Sequence, residues 1–93
     1  MAIPDFQSIM LPFLQLLADG KEHLHKDLIK GVANHFNLTE EERQELLPSQ
    51  RQAIITNRVG WARTYLSKAG LVEAPSRGVQ VITKRGLDAL KSN

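Results

Sequence analysis

The chain reads as a mainly α (α+β) domain of the winged helix-turn-helix type with a small two- to three-stranded sheet. Three observations predict it. Ile55, Val59, Ala62, Leu66 and Ala69 recur at the spacing of one helix face, Gly70 stands where that stripe stops, and two short apolar runs flank Pro75-Ser76-Arg77-Gly78. Apolar residues three and four apart mark an amphipathic helix. Glycine after a helix end takes the left-handed conformation without a Cβ clash. Leu71–Ala74 and Val79–Ile82 around a Pro, Ser and Gly turn predict a hairpin with Arg77 at its tip, the wing.

The remaining elements follow in order. Phe6, Ile9, Met10, Phe13, Leu14 and Leu17 predict a helix from about Pro4 to Ala18, closed by Asp19-Gly20. Pro12 falls on its other face and lacks a backbone donor, which predicts a kink or a break. Lys21-Glu22-His23 is a candidate third strand beside the hairpin. Leu24, Leu28, Ile29, Val32 and Phe36 mark a second helix, weakened by Gly31 and ending near Asn37. Thr39 and Glu42 form a capping-box pattern for a short acidic helix to about Leu47, stopped by Pro48. Ser49 and Gln52 repeat the pattern and predict the start of the basic helix. Thr83 is placed to cap a last helix through Leu87 and Leu90.

Ninety-three residues make one domain, 1–93, with material for a single core. The absence of cysteine excludes disulfides, thiolate zinc sites and a catalytic thiol. Met1-Ala2-Ile3-Pro4-Asp5 lacks the basic start and apolar run of a leader, and Ile9–Ala18 is too short to span a bilayer. A cytoplasmic domain without membrane contact is expected. Charge divides along the chain. Four basic and eight acidic side chains leave residues 1–47 at −4, whereas eight basic and two acidic leave 48–93 at +6. Such asymmetry suggests a support and a basic working surface.

That surface is expected on the basic helix. At about 100° per residue, Ala53, Asn57, Gly60 and Thr64 lie opposite the apolar stripe, flanked by Thr56, Trp61, Ser67 and Lys68. Asn pairs bidentately with adenine, Thr touches a base edge or thymine methyl, and Arg favours guanine or phosphate. A glycine inside a helix costs about 1 kcal/mol, so Gly60 hints at close approach by nucleic acid or by a neighbouring helix. Trp61 and Tyr65 are read first as packing on the 39–47 helix or the N-terminal helix, and second as stacking on a base. Arg58 points to the stripe's edge and is expected to pair with an acidic residue of the first half. His23, His25 and His35 show no metal-site spacing, and Asp5, Asp19 and Lys21 lack the adjoining strands a nuclease centre requires. No catalytic site, metal or cofactor is expected.

The run Asn57-Arg58-Val59-Gly60-Trp61-Ala62-Arg63-Thr64-Tyr65-Leu66, with Lys68-Ala69-Gly70-Leu71, Arg77-Gly78-Val79 and Ile82-Thr83, resembles the N-terminal domain of Mrr-type restriction endonucleases. Pro4-Asp5-Phe6, Leu11-Pro12, Ala18-Asp19-Gly20 and Leu38–Arg43 running into Leu47-Pro48-Ser49 extend the likeness to nearly the whole chain. The resemblance implies a winged helix that binds target double-stranded DNA, methylated in that family's usage, for a nuclease domain that has no counterpart in this chain. Arg51, Gln52, Thr56, Asn57, Arg63, Thr64 and Lys68 are the candidate helix contacts, and Arg77 and Lys84 the wing and backbone contacts. Partners would be duplex DNA and a C-terminal nuclease domain or a second copy. The alternatives are a free-standing transcription regulator and an interaction domain docking a nuclease through the Trp61 flank.

Overall fold

Backbone pairing and capping organise residues 3–92, the residues described by the computed structural model. Met1 and Ala2, on which the leader reading partly rests, and Asn93 lie outside them. The elements are α1 (Phe6–Leu16), β1 (His23–Leu24), α2 (His25–His35), α3 (Glu40–Gln44), α4 (Ile54–Lys68), β2 (Val72–Glu73), β3 (Val79–Ile82) and α5 (Lys84–Lys91). The sheet is antiparallel in the order β1-β3-β2, with Leu24 opposite Val79 and Val72 opposite Ile82. This is a winged-helix-like α+β fold. No helix among the described residues is long and apolar enough to cross a membrane.

Most helix ends form as their residues dictate. Asp5 caps α1 by accepting the Ser8 N–H at 2.8 Å, a bond that holds its carboxyl below the usual aspartate range. Thr39 and Glu42 close both halves of their capping box at 3.1 and 2.7 Å. At the end of α4, Gly70 N–H bonds Ser67 O and Leu71 N–H bonds Leu66 O, both at 3.0 Å, with Gly70 at φ +77°. That is the Schellman closure, and it turns the chain directly into β2. Asp19 bonds Lys21 N–H at 2.9 Å and His23 Nε2 at 3.0 Å, setting the entry to β1, and chiefly the His23 bond lowers its pKa.

Several expectations change. α1 runs unbroken from Phe6 to Leu16, and Pro12 is buried among Ile9, Phe13 and Leu14 rather than turned outward. Packing of its ring in the core offsets the missing hydrogen bond. The acidic helix stops at Gln44, short of Leu47. The predicted Ser49 capping box does not form. Gln50 is left-handed at φ +61°, α4 begins only at Ile54, and Ala53 precedes it without a side-chain cap. Backbone pairing replaces the cap: Leu46 bridges Ala53, Leu47 N–H bonds Gln52 O at 3.0 Å, and Ile54 N–H bonds Glu45 O at 2.8 Å. A free donor of the first helical turn thus finds a main-chain acceptor. Arg51 and Gln52 sit in the loop before α4, not on the helix.

The core is one cluster: Ile3, Ile9, Phe13, Leu14 and Leu17 from the first helical segment and its lead-in, Leu28, Val32, Ala33 and Leu38 from α2 and the turn after it, Ile55, Val59, Ala62 and Leu66 from α4, and Val72 and Ile82 from the sheet. Ala69 is exposed, so the stripe ends at Leu66. Ala53, expected on the outer face, packs against the core. Arg58 reaches the first half but bonds the Pro4 carbonyl at 3.1 Å rather than a carboxylate.

Thr83 joins the wing to the helices. Its N–H bonds Leu71 O at 3.0 Å, its hydroxyl donates to Gly70 O at 2.6 Å, and the same oxygen accepts Gly86 N–H at 3.1 Å as the α5 cap. Thr83→Ala removes the cap and the bond to Gly70. It should lower stability by about 1–2 kcal/mol, read as a lower urea midpoint at unchanged m-value.

Candidate functional site

The outward side of α4 carries a shallow cleft lined by Gln52, Asn57, Gly60, Trp61, Arg63 and Thr64. A side chain at Gly60 would meet nothing within 4 Å, so no neighbouring helix of this chain approaches it. The packing alternative for Gly60 is thereby removed within the described residues. Asn57 Nδ2 donates to Gln52 Oε1 at 3.3 Å, which leaves Asn57 Oδ1 and the second amide hydrogen to face outward partners. Thr64 Oγ1 donates to the Gly60 carbonyl at 2.9 Å and keeps its acceptor lone pairs.

Tyr65 behaves as expected, stacking on Phe6 of α1 at 4.9 Å and 13°. Trp61 does not. It is 50% exposed and edges the cleft, with Tyr65 at 6.3 Å and 40°. Lys68 Nζ lies 5.9 Å from the Tyr65 ring centre, in cation–π range.

A second cleft opens between α4 and the wing. His25, Arg63, Ser76, Arg77 and Gln80 line it, and Arg63 belongs to both clefts. The elements place these groups. The first residue of α2 carries His25, whose backbone N–H bonds Gly78 O at 2.7 Å and so ties α2 to the wing turn. Gln80 shares the inward register of Ile82 on β3. Burial, and then the Arg63 charge, push the His25 pKa down.

Of the residues expected to meet nucleic acid, Gln52, Asn57, Arg63 and Thr64 converge on the first cleft, and Arg63 and Arg77 on the second. Arg51, Thr56, Lys68 and Lys84 line neither, and Lys84 pairs with Asp88 at 3.2 Å. No ion pair engages Arg51, Arg63, Lys68 or Arg77 among the described residues. Sequence reasoning missed His25, Ser76 and Gln80. For Gln80 the signal was available: a polar residue two before Ile82 on a strand faces the interior with it.

The Mrr N-terminal domain family matches residues 6–92, and the chain belongs to that family. The type IV methyl-directed restriction enzyme EcoKMrr of Escherichia coli (strain K12) is similar to it, 31% identical over 94 residues that span 100% of this chain and 31% of the relative. The chain thus corresponds to just under a third of that relative's length. No solved structure matches it significantly.

Two outcomes follow from the site's packing. Gly60→Ala adds a methyl group into open space and raises helix propensity, so it should stabilise the domain by about 0.4–1 kcal/mol, seen as a higher melting temperature. His25 titrates at a lower pH folded than unfolded, so the unfolded chain binds more protons between the two pKa values. Its contribution is complete above about pH 6.5 and is lost as pH falls through the folded pKa. Denaturant midpoints measured downward from pH 7.5 should show this decline, and His25→Gln should flatten it.

Proposed function

We propose that this chain is the DNA-binding module of a Mrr-like restriction system, with α4 entering the major groove and the β2–β3 turn lying along the adjoining backbone. The observation that carries the reading is the uncovered face of α4 around Gly60, where Asn57 and Thr64 sit beside Arg63, a cation without a carboxylate partner. A helix can lie deep in a groove where its outer side chains are small. Asn57 is the base-reading residue, held by Gln52, with the pattern to pair with adenine. Thr64 supports it, and Thr56 flanks it. Arg51, Arg63, Lys68, Arg77 and Lys84 supply phosphate contacts that position the helix. The relative's description as methyl-directed supports a methylated target. The partner that acts on the bound DNA would be a C-terminal nuclease domain.

A second reading has one observation in its favour: half-exposed Trp61 beside half-exposed Tyr65 gives an apolar flank that a nuclease domain can dock against.

Duplex binding at several salt concentrations separates the two. The DNA reading expects a log–log slope on the order of −3 to −6. Asn57→Ala should reduce discrimination between matched methylated and unmethylated or scrambled duplexes by about 1–3 kcal/mol while sparing most non-specific affinity. A flat salt response, or no duplex binding at low salt, favours docking instead.

A further inference from the structure

The cleft between α4 and the wing contains unmatched hydrogen-bonding capacity. His25 Nδ1, Arg63 Nε and Gln80 Oε1 are all buried without a partner, and all three residues line this one cleft. Gln80 is 4% exposed, the single buried polar residue in the described fold. Orphaned buried polar atoms cost stability and are rare, and three around one opening point to a ligand.

The chemistry of the wall selects the ligand. Arg63 and Arg77 bring two positive charges, and no carboxylate lines the cleft. Arg63 Nε–H is a donor, the Ser76 hydroxyl can donate, and His25 donates from Nδ1 in one neutral tautomer. The Gln80 carboxamide presents Nε2–H after a half-turn of its terminal torsion. The wall also includes the first residue of α2, whose N-terminus has no side-chain cap. An anion with several acceptor oxygens suits the donors of this wall and reaches the buried ones once their side chains turn toward the opening, whereas a base edge would have to match them with alternating donors and acceptors. The volume of about 310 Å³ accommodates a phosphodiester with water.

We propose that this cleft seats one phosphate group, held by Arg63, Arg77, His25, Ser76 and Gln80. It rests on the DNA-binding reading for the source of that phosphate, the duplex backbone. A phosphate seated between helix and wing fixes the depth and register of α4 in the groove.

The test uses the full chain with two probes, inorganic phosphate and a duplex of about 16 base pairs. Side-chain NMR resonances of His25, Arg63 Nε–H and the Gln80 amide should shift with phosphate, against chloride at equal ionic strength, and shift again with duplex. Gln80→Leu and Ser76→Ala should each weaken duplex binding roughly three- to tenfold at unchanged salt slope, since neither alters charge. Arg63→Gln should weaken it about tenfold and make the slope shallower by up to about one unit. Single neutral methylphosphonates scanned along the duplex should reveal one position at which the wild type loses affinity and Ser76→Ala loses little more. Ser76 is an exposed turn residue, so its variant keeps the core intact if Gln80→Leu disturbs folding. Full-affinity duplex binding by both variants, with the three resonances unmoved, overturns the phosphate seat and leaves the DNA reading standing. Resonances that move with inorganic phosphate in a chain that binds no duplex uphold the seat with free phosphate as its source and overturn the DNA reading. Silence to both probes overturns both.

Discussion

The structure depends on α4 having two unlike faces. Ile55, Val59, Ala62 and Leu66 are withdrawn from water against α1 and α2, and the opposite side is left without a covering element at Gly60. A helix of 15 residues is marginal by itself, so burial of the stripe gives α4 most of its stability. Because that energy comes from one side, the other can carry a helix-weakening glycine and polar residues chosen for something else. Most acidic groups sit on the supporting first half, and Arg63, which has no carboxylate partner, borders the open face.

A second constraint orients the wing. Thr83 bonds the ends of α4 and β2 while capping α5, and there is no room at Gly86 for a side chain, since a Cβ there would overlap the Leu71 carbonyl and lie 2.6 Å from Ile82 Cγ1. The hairpin is therefore held against the helix it follows in sequence. On its other edge, β1 pairs with β3, and His25 N–H reaches the Gly78 carbonyl. The turn carrying Ser76 and Arg77 is consequently held from both sides, which places it beside Arg63 and forms a concave surface from residues 25, 63, 76, 77 and 80.

Membership in the Mrr N-terminal domain family joins this architecture to restriction systems. In the proposed arrangement, a small polar helix face reads bases while an anion seat at the helix–wing junction fixes the register. The two tasks need different chemistry. Discrimination among bases requires donors and acceptors in fixed geometry, as at Asn57 and Gln52, whereas backbone attachment requires positive charge and several donors.

Local signals governed much of what could be read in advance. The Thr39 capping box, the Gly70 closure, the Thr83 cap and the Pro75–Gly78 turn each involve groups within a few residues of one another, so sequence alone determined them. Hydrophobic period likewise located the buried stripe of α4 and the inward face of α1. What tertiary structure decided was every choice between competing partners. Ser49 had a capping pattern, but main-chain pairing of residues 45–47 with 52–54 satisfied the α4 N-terminus differently and moved its start to Ile54. Pro12 looked like a helix breaker, yet the core buried its ring and the helix continued. Tyr65 found Phe6, whereas Trp61 found no cover. The convergence of His25, Arg63 and Gln80 on one cleft joins residues 55 positions apart from first to last, and only the packing of α2, α4 and β3 brings them together.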